Sequence, residues 1–226
     1  MKKIIGYFSR GEIILWGISV LTVAVSFFVF SRDGYMTLIA SLIGVTAIIV
    51  NAKGNPTGQA MMIVFSILYG IISFNCAYYG EMLTYLGMTA PMALMAFISW
   101  IRNPYENGKE VKVNKIKYTE FIFMLFISAF VTVIFYFVLK YFNTANLIPS
   151  TISVTTSFIA VYLTFRRSAY FSLAYASNDI VLIVLWTLAV LKDISYVSVL
   201  ICFVMFFVND IYGFISWKKM EKRQLN

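Results

Sequence analysis

The chain contains no histidine, so the side chain most often used as a general base or metal ligand near neutral pH is missing. Charge is nearly as scarce. Only 12% of the 226 residues are Asp, Glu, Lys or Arg, about half the ~25% of a soluble domain that must hydrate its surface. The two cysteines, Cys76 and Cys202, both fall in apolar runs without metal-ligand spacing and read as small buried hydrophobes. These shortages exclude a disulfide framework and a His/Cys metal centre. No cofactor and no metal are expected.

What remains is apolar: 61% hydrophobic and 18% aromatic residues, with a mean hydropathy of +0.83. No single water-soluble core hides that much apolar surface, so the composition places the chain in a bilayer. A membrane helix needs about 20 apolar residues, and that ruler predicts eight helices, at 12–30, 34–51, 60–79, 82–101, 119–142, 147–165, 168–190 and 194–217. The first apolar run, Ile13 to Phe30, is too long for a signal-peptide core and lacks a small-residue cleavage site, so it reads as a retained helix. The polar stretch Arg102–Tyr118, with Asn103-Pro104 and Asn107-Gly108, reads as a turn-rich loop.

The net charge of +8 does not call for a nucleic-acid partner, because basic residues gather in cytoplasmic loops of membrane proteins. With the N-terminus in the cytoplasm, fifteen of the 18 Lys and Arg fall inside, including Lys2, Lys3, Lys53, Lys109, Arg166 and Arg167. Arg32, Lys140 and Lys192 fall outside. Eight helices with both ends inside satisfy this bias.

Phe97-Ile98-Ser99-Trp100 is repeated as Phe214-Ile215-Ser216-Trp217, 117 positions later, each at a helix end before a basic residue. The same offset pairs Tyr69 with Trp186 and Ile49-Val50 with Arg166-Arg167. The repeat predicts two three-helix units with one orientation, 34–101 and 147–217, and a linker helix at 119–142 that restores direction. The expected architecture is an all-α polytopic membrane protein of two parallel repeats (3+1+3) plus one N-terminal helix. Its divisions are 1–33, 34–101, the loop 102–118, 119–142, 147–217 and the basic tail 218–226. In parallel repeats of this kind the cargo site lies between the units near the midplane.

Eight of the ten acids sit in loops or at helix ends, among them Glu12, Asp33, Glu81 and Glu120. Asp179 and Asp210 do not. A carboxylate inside a bilayer costs roughly 2.5–3.5 kcal/mol on insertion scales, which marks both as functional candidates. Each follows an asparagine, Asn178 and Asn209. Neighbours on a helix point about 100° apart, so each pair can aim one member at a pore and the other at an adjacent helix. The pairs either hydrogen-bond helices together or contact a cargo. Tyr175 and Trp186 can share a face with Asp179, and helix 147–165 is rich in hydroxyls, including Thr155. Half of those hydroxyls are expected to be packing residues. Gln59 sits at the inner mouth of its helix. Stacking rings, hydroxyls and acids suit an uncharged or cationic aromatic glycoside. An aspartyl protease built on the two acids lacks its usual Tyr-Asp and Gly-x-Gly-Asp settings, so no enzyme is expected.

Tyr79-Gly80-Glu81-Met82, Asn178-Asp179-Ile180 and the run from Asn209-Asp210-Ile211-Tyr212-Gly213 to Trp217 resemble the nicotinamide riboside transporter (PnuC) family along nearly the whole chain from about residue 34. The resemblance implies the 3+1+3 arrangement, kinship with SWEET sugar transporters and a homotrimer in the bacterial cytoplasmic (inner) membrane. It also implies facilitated, energy-independent uptake of a nucleoside-like vitamin precursor, bound centrally and trapped inside by phosphorylation. Residues and resemblance together give the expected cargo set: Asp179, Asn178, Tyr175, Trp186, Asp210, Asn209, Tyr69, Gln59, Thr155 and Trp217. Some relatives carry Trp and Asn where this chain has Tyr175 and Asp179, and their first-repeat motif has Asn where Asp210 stands. Branches that carry thiamine, riboflavin or deoxyribonucleosides are the alternative cargoes.

Overall fold

A computed structural model describes residues 7–30, 34–75, 78–106, 108, 110–144 and 146–226. Lys2, Lys3, Arg32, Asp33, Cys76, Asn107 and Lys109, named above, lie outside the described residues. Eight helices among them are long and apolar enough to cross a membrane: α1 (Arg10–Phe30), α2 (Tyr35–Ala52), α3 (Thr57–Asn75), α4 (Tyr79–Arg102), α5 (Tyr118–Tyr141), α6 (Leu147–Phe165), α7 (Phe171–Val190) and α8 (Val197–Leu225). The helix of α8 continues through the basic tail. The loop after α4 forms a short antiparallel pair, Pro104–Tyr105 with Glu110–Val111.

Local chemistry explains the helix ends. Before α1, Ser9 and Glu12 form a capping box: Glu12 N–H donates to Ser9 Oγ at 3.2 Å, and Ser9 N–H donates to Glu12 Oε2 at 2.6 Å. Asp193 caps the 3₁₀ turn before α8 by accepting from Ser195 N–H at 2.9 Å, which holds its carboxyl below the usual aspartate range. Inside α4, Pro91 has no N–H and its ring crowds the carbonyl four residues back. The helix meets this by widening into a π-helical turn at Tyr85–Thr89, where Thr89 Oγ1 reaches Thr84 O at 3.2 Å.

Six helices close into a ring, each packed on the next: α2, α3, α4, α6, α7, α8 and back to α2. The other two lie outside it, α1 against α2 and α8, and α5 against α6. Among the described residues of α5 only Met124, Ser128 and Leu139 are buried, so most of its apolar surface faces outward. Sheathing of this kind suits lipid, where every backbone group is already satisfied within the helix.

Eight traverses bring residue 7 and residue 226 to one face of the ring, called here the terminal face. There the two repeated Ser-Trp pairs make matching bonds. Ser99 Oγ donates to Phe165 O at 3.0 Å and Trp100 Nε1 to Thr164 O at 2.9 Å, while Ser216 Oγ donates to Ala52 O at 2.7 Å and Trp217 Nε1 to Asn51 O at 2.8 Å. Thus α4 closes over the last turn of α6, and α8 over the last turn of α2, where carbonyls lack intrahelical donors. The carbonyl partners are 113 residues apart, so the ungapped offset of 117 that pairs the tryptophans runs four residues out of step at α2 and α6.

The outer helices follow the same plan. Glu12, third residue of α1, pairs with Lys53 just beyond α2 at 3.3 Å. Glu120, third residue of α5, pairs with Arg166 just beyond α6, with Arg166 Nη2 2.9 Å from Glu120 Oε2. A tyrosine completes each pair: Tyr212 donates to Glu12 at 2.8 Å and Tyr162 to Glu120 at 3.2 Å. Next in sequence come two left-handed residues, Gly54 (φ +65) and Arg167 (φ 56). Their carbonyls accept from Val111 N–H at 2.9 Å and Asn114 N–H at 3.0 Å, so the loop after α4 straps both helix ends. Arg167 accepts this backbone despite its side chain because Nη1 donates to Ser99 Oγ at 2.7 Å and Nε to Lys112 O at 3.1 Å. Gly54→Ala meets both an unfavourable φ and Met220 at 2.9 Å, and should destabilise the chain by about 1–3 kcal/mol, or roughly 3–10 °C in melting temperature. Thermal unfolding in detergent checks this.

Candidate functional site

At the centre of the ring lies a cavity of about 40 Å³. All six ring helices contribute to it. Ile48 and Asn51 come from α2, Met62 and Phe65 from α3, and Tyr85 and Thr89 from the π turn of α4. Ser157 comes from α6, Phe171, Tyr175, Asn178 and Asp179 from α7, and Phe203, Phe206 and Asp210 from α8. Tyr85 and Thr89, four residues apart across the π turn, face one wall, as residues at that spacing do on a helix.

Asp179 and Asp210 are 3% and 4% exposed and lie within hydrogen-bonding reach of each other. Among the described residues no donor reaches Asp179 Oδ2. Beside them the side-chain oxygen of Asn178 is engaged by α6: Oδ1 accepts from Thr156 at 2.8 Å, Ser157 at 3.1 Å and Ser153 at 3.4 Å. These three hydroxyls use the amide oxygen and leave Asn178 Nδ2 for other partners. Tyr175 lies one turn before Asp179 and hydrogen-bonds Thr164.

Of the expected cargo set, the structure brings Asp179, Asn178, Tyr175 and Asp210 together around the cavity. The other six stand elsewhere. Asn209 turns away from the cavity, donating to Ser19 Oγ of α1 at 2.8 Å and to Met205 O at 2.6 Å. Thr155 faces α5, sharing a hydrogen bond with Thr132 at 2.7 Å. Trp186 and Tyr69 lie in an aromatic layer on the side away from the terminal face, with ring centroids 6.2 Å apart and Phe203 stacked on Trp186 at 6.4 Å. Gln59 and Trp217 act on a cavity residue: Gln59 Nε2 donates to Asn51 Oδ1 at 3.0 Å, and Trp217 holds the Asn51 carbonyl.

Nothing in the residue pattern marked Asn51, Tyr85, Thr89, Phe65 or Phe206 as cavity residues. Asn51 ends an apolar helix and reads as a boundary residue. Glu12 and Glu81, expected at solvated helix ends, are each only 3% exposed. Glu81 lies one turn before Tyr85, and among the described residues no donor reaches its Oε2.

Aromatic layers flank the cavity. Toward the terminal face Phe171 packs on Trp217 at 4.7 Å, and Trp217 on Trp100 at 5.2 Å. Toward the opposite face Tyr69, Tyr85 and Phe65 pack within 4.6–5.8 Å of one another. Among the described residues no group of His, Cys, Asp and Glu is arranged to hold a metal ion.

Comparison with known proteins places this arrangement. The profile of the family described as "nicotinamide mononucleotide transporter" matches residues 34–219. Two relatives are each named nicotinamide riboside transporter PnuC. The protein of Neisseria mucosa is 23% identical over 98% of this chain and 86% of its own length. The protein of Haemophilus influenzae is 18% identical over 87% of this chain and 84% of its own. A solved structure, the crystal structure of the vitamin B3 transporter PnuC, superposes with a TM-score of 0.83, at 23% identity, over 96% of this chain and 94% of that one. The matched span takes in seven of the eight helices and every residue that lines the cavity. The chain therefore belongs to the nicotinamide mononucleotide transporter family and is a multi-pass membrane transporter.

Proposed function

We propose that this chain carries nicotinamide riboside, or a closely similar nucleoside, across the bacterial cytoplasmic membrane, with both ends of the chain inside. The observation that carries the reading is the central cavity, where a paired acid, two asparagines and a set of aromatic rings converge from five of the six ring helices, with Ser157 from the sixth. Carboxylate and amide oxygens accept from ribose hydroxyls, Asn178 Nδ2 can donate to a carboxamide oxygen, and the Phe and Tyr rings offer faces for a flat base. The names of the relatives point to the same cargo.

The riboside is favoured over its 5′-phosphate on chemical grounds. Phosphate recognition relies on Arg, Lys or a helix N-terminus. Among the described residues that line the cavity none is basic, and two are acids. A phosphate there would meet like charge in a low-dielectric site.

The mechanism we favour is alternating access between two halves, α1–α4 and α5–α8. The matching Ser-Trp bonds, Glu–base pairs and left-handed caps support reading the halves as equivalent units in parallel orientation. On that reading α5 is the counterpart of α1, and the 3+1+3 set with its extra helix is a four-plus-four duplication. The cavity of about 40 Å³ holds one or two waters, far below the ~300–1,000 Å³ of small-molecule pockets. Cargo entry therefore requires the halves to part, and the two aromatic layers are the places where they would do so. Transport needs no ion gradient on this scheme, and phosphorylation inside the cell retains the product.

Purified protein in a binding panel of nicotinamide riboside, thiamine, riboflavin, ribonucleosides and deoxyribonucleosides tests the cargo. Nicotinamide riboside should bind and compete with the others. Asn51→Ala should weaken it about tenfold or more, as expected for a lost buried hydrogen bond of roughly 1.5 kcal/mol. Thr155→Val, at a residue turned toward α5, should change it by less than about threefold. If riboflavin or a deoxyribonucleoside binds and nicotinamide riboside does not, the cargo assignment fails. In proteoliposomes, an imposed pH or sodium gradient should leave the uptake rate unchanged.

A further inference from the structure

Resting on that reading, we infer that the acid pair makes the carrier selective for the positive charge of its cargo, so that a cationic riboside is bound in preference to a neutral one of the same shape. Asp179 and Asp210 face one another in a cavity that carries no basic side chain among the described lining residues. Lys53 and Arg166, which follow the ring helices α2 and α6, are held at the terminal face by Glu12 and Glu120. No donor among the described residues reaches Asp179 Oδ2. Two adjacent carboxyls without a countercharge form an unfavourable arrangement in the interior of a membrane protein. A monocation placed between them relieves it, and a neutral ligand does not.

Glu81 supplies an independent observation. It is 3% exposed and no described donor reaches its Oε2. It lies one helical turn from Tyr85, which lines the cavity together with Asp179. When ionised, a carboxyl there extends the negative potential of the acid pair toward the face opposite the termini, the side from which cargo arrives on this reading. Tyr85 and Tyr175 add ring faces, whose negative quadrupole also favours a cation.

Nicotinamide riboside offers a close control, because its pyridinium ring carries one positive charge. Addition of a hydride gives the dihydro riboside, which is neutral and has nearly the same outline, sugar and carboxamide. Hydroxyl and amide recognition is common to both forms, and the charge is not.

The test is the Kd of each form on the purified full chain, for the wild type, Asp179→Asn and Asp210→Asn, with folding of each variant confirmed by thermal unfolding. The wild type should bind the cation about tenfold or more tightly than the neutral form. Each Asn variant should bring the two forms within about threefold, mainly by weakening the cation. Should one variant not fold, the other decides. Equal binding of both forms by the wild type overturns charge selection while leaving the cargo assignment standing. So does an equal loss of both forms in a folded variant, which would make the acids general hydrogen-bond partners. Binding of neither form by the wild type overturns the cargo assignment and this inference with it. Glu81→Gln should slow uptake of the cation and leave uptake of the neutral form unchanged; an equal effect on both removes Glu81 from the selective route.

Discussion

The crossed tryptophan bonds at the terminal face are the constraint on which the rest of the molecule depends. Trp100 and Trp217 are completely buried, and each donates its only polar hydrogen to a carbonyl in the last turn of another ring helix, α6 for Trp100 and α2 for Trp217. Indole N–H groups have no alternative partner in an apolar interior, so losing either bond would leave a buried donor unsatisfied, at a cost of about 1–3 kcal/mol. The bonds fix where α4 and α8 cross the ends of α6 and α2. One acceptor is the backbone of Asn51, whose side chain lines the cavity. The clasp and the site therefore share a residue.

Polar groups in this protein divide according to what they can reach. Glu12 and Glu120 are buried or half-buried, yet each has a base and a tyrosine beside it, which makes them local joints between outer and ring helices. Asn178 Oδ1 accepts from hydroxyls of α6 and Asn209 Nδ2 donates to a hydroxyl of α1, although no described donor reaches Asn209 Oδ1. Asp179 and Glu81 each retain an oxygen that no described donor reaches, deep in the molecule. Unsatisfied buried oxygens are costly unless something else answers them. In a transporter the natural answer is a cargo that arrives and leaves, and a cavity too small to hold it at rest implies that the surrounding rings move when it does.

The helices were legible because each span is apolar along its length and the loops between them are short. The centre was harder to read. Helices that are hydrophobic all round give little indication of which face is inward, so Phe65 and Phe206 could not be told from lipid-facing rings. Tyr85 and Thr89 share a helix face by ordinary spacing, but nothing in an apolar run marks that face as the inward one. Asp179 and Asp210 stood out because charge is rare in such a chain. Trp186 was placed on the face of Asp179 by spacing alone, and lies two turns further along in an aromatic layer. Glu81 read as a helix-end residue, and the fold of the chain around it buries it.

The central claim is that one buried site is exposed in turn to the two sides of the membrane. Counterflow in proteoliposomes tests it directly. Vesicles preloaded with unlabelled nicotinamide riboside and diluted into a trace of labelled riboside should accumulate label transiently above its equilibrium level, because each carrier that releases unlabelled cargo outside returns with labelled cargo. A rise of label to equilibrium with no overshoot, unaffected by the preload, would show an open pathway and contradict the account.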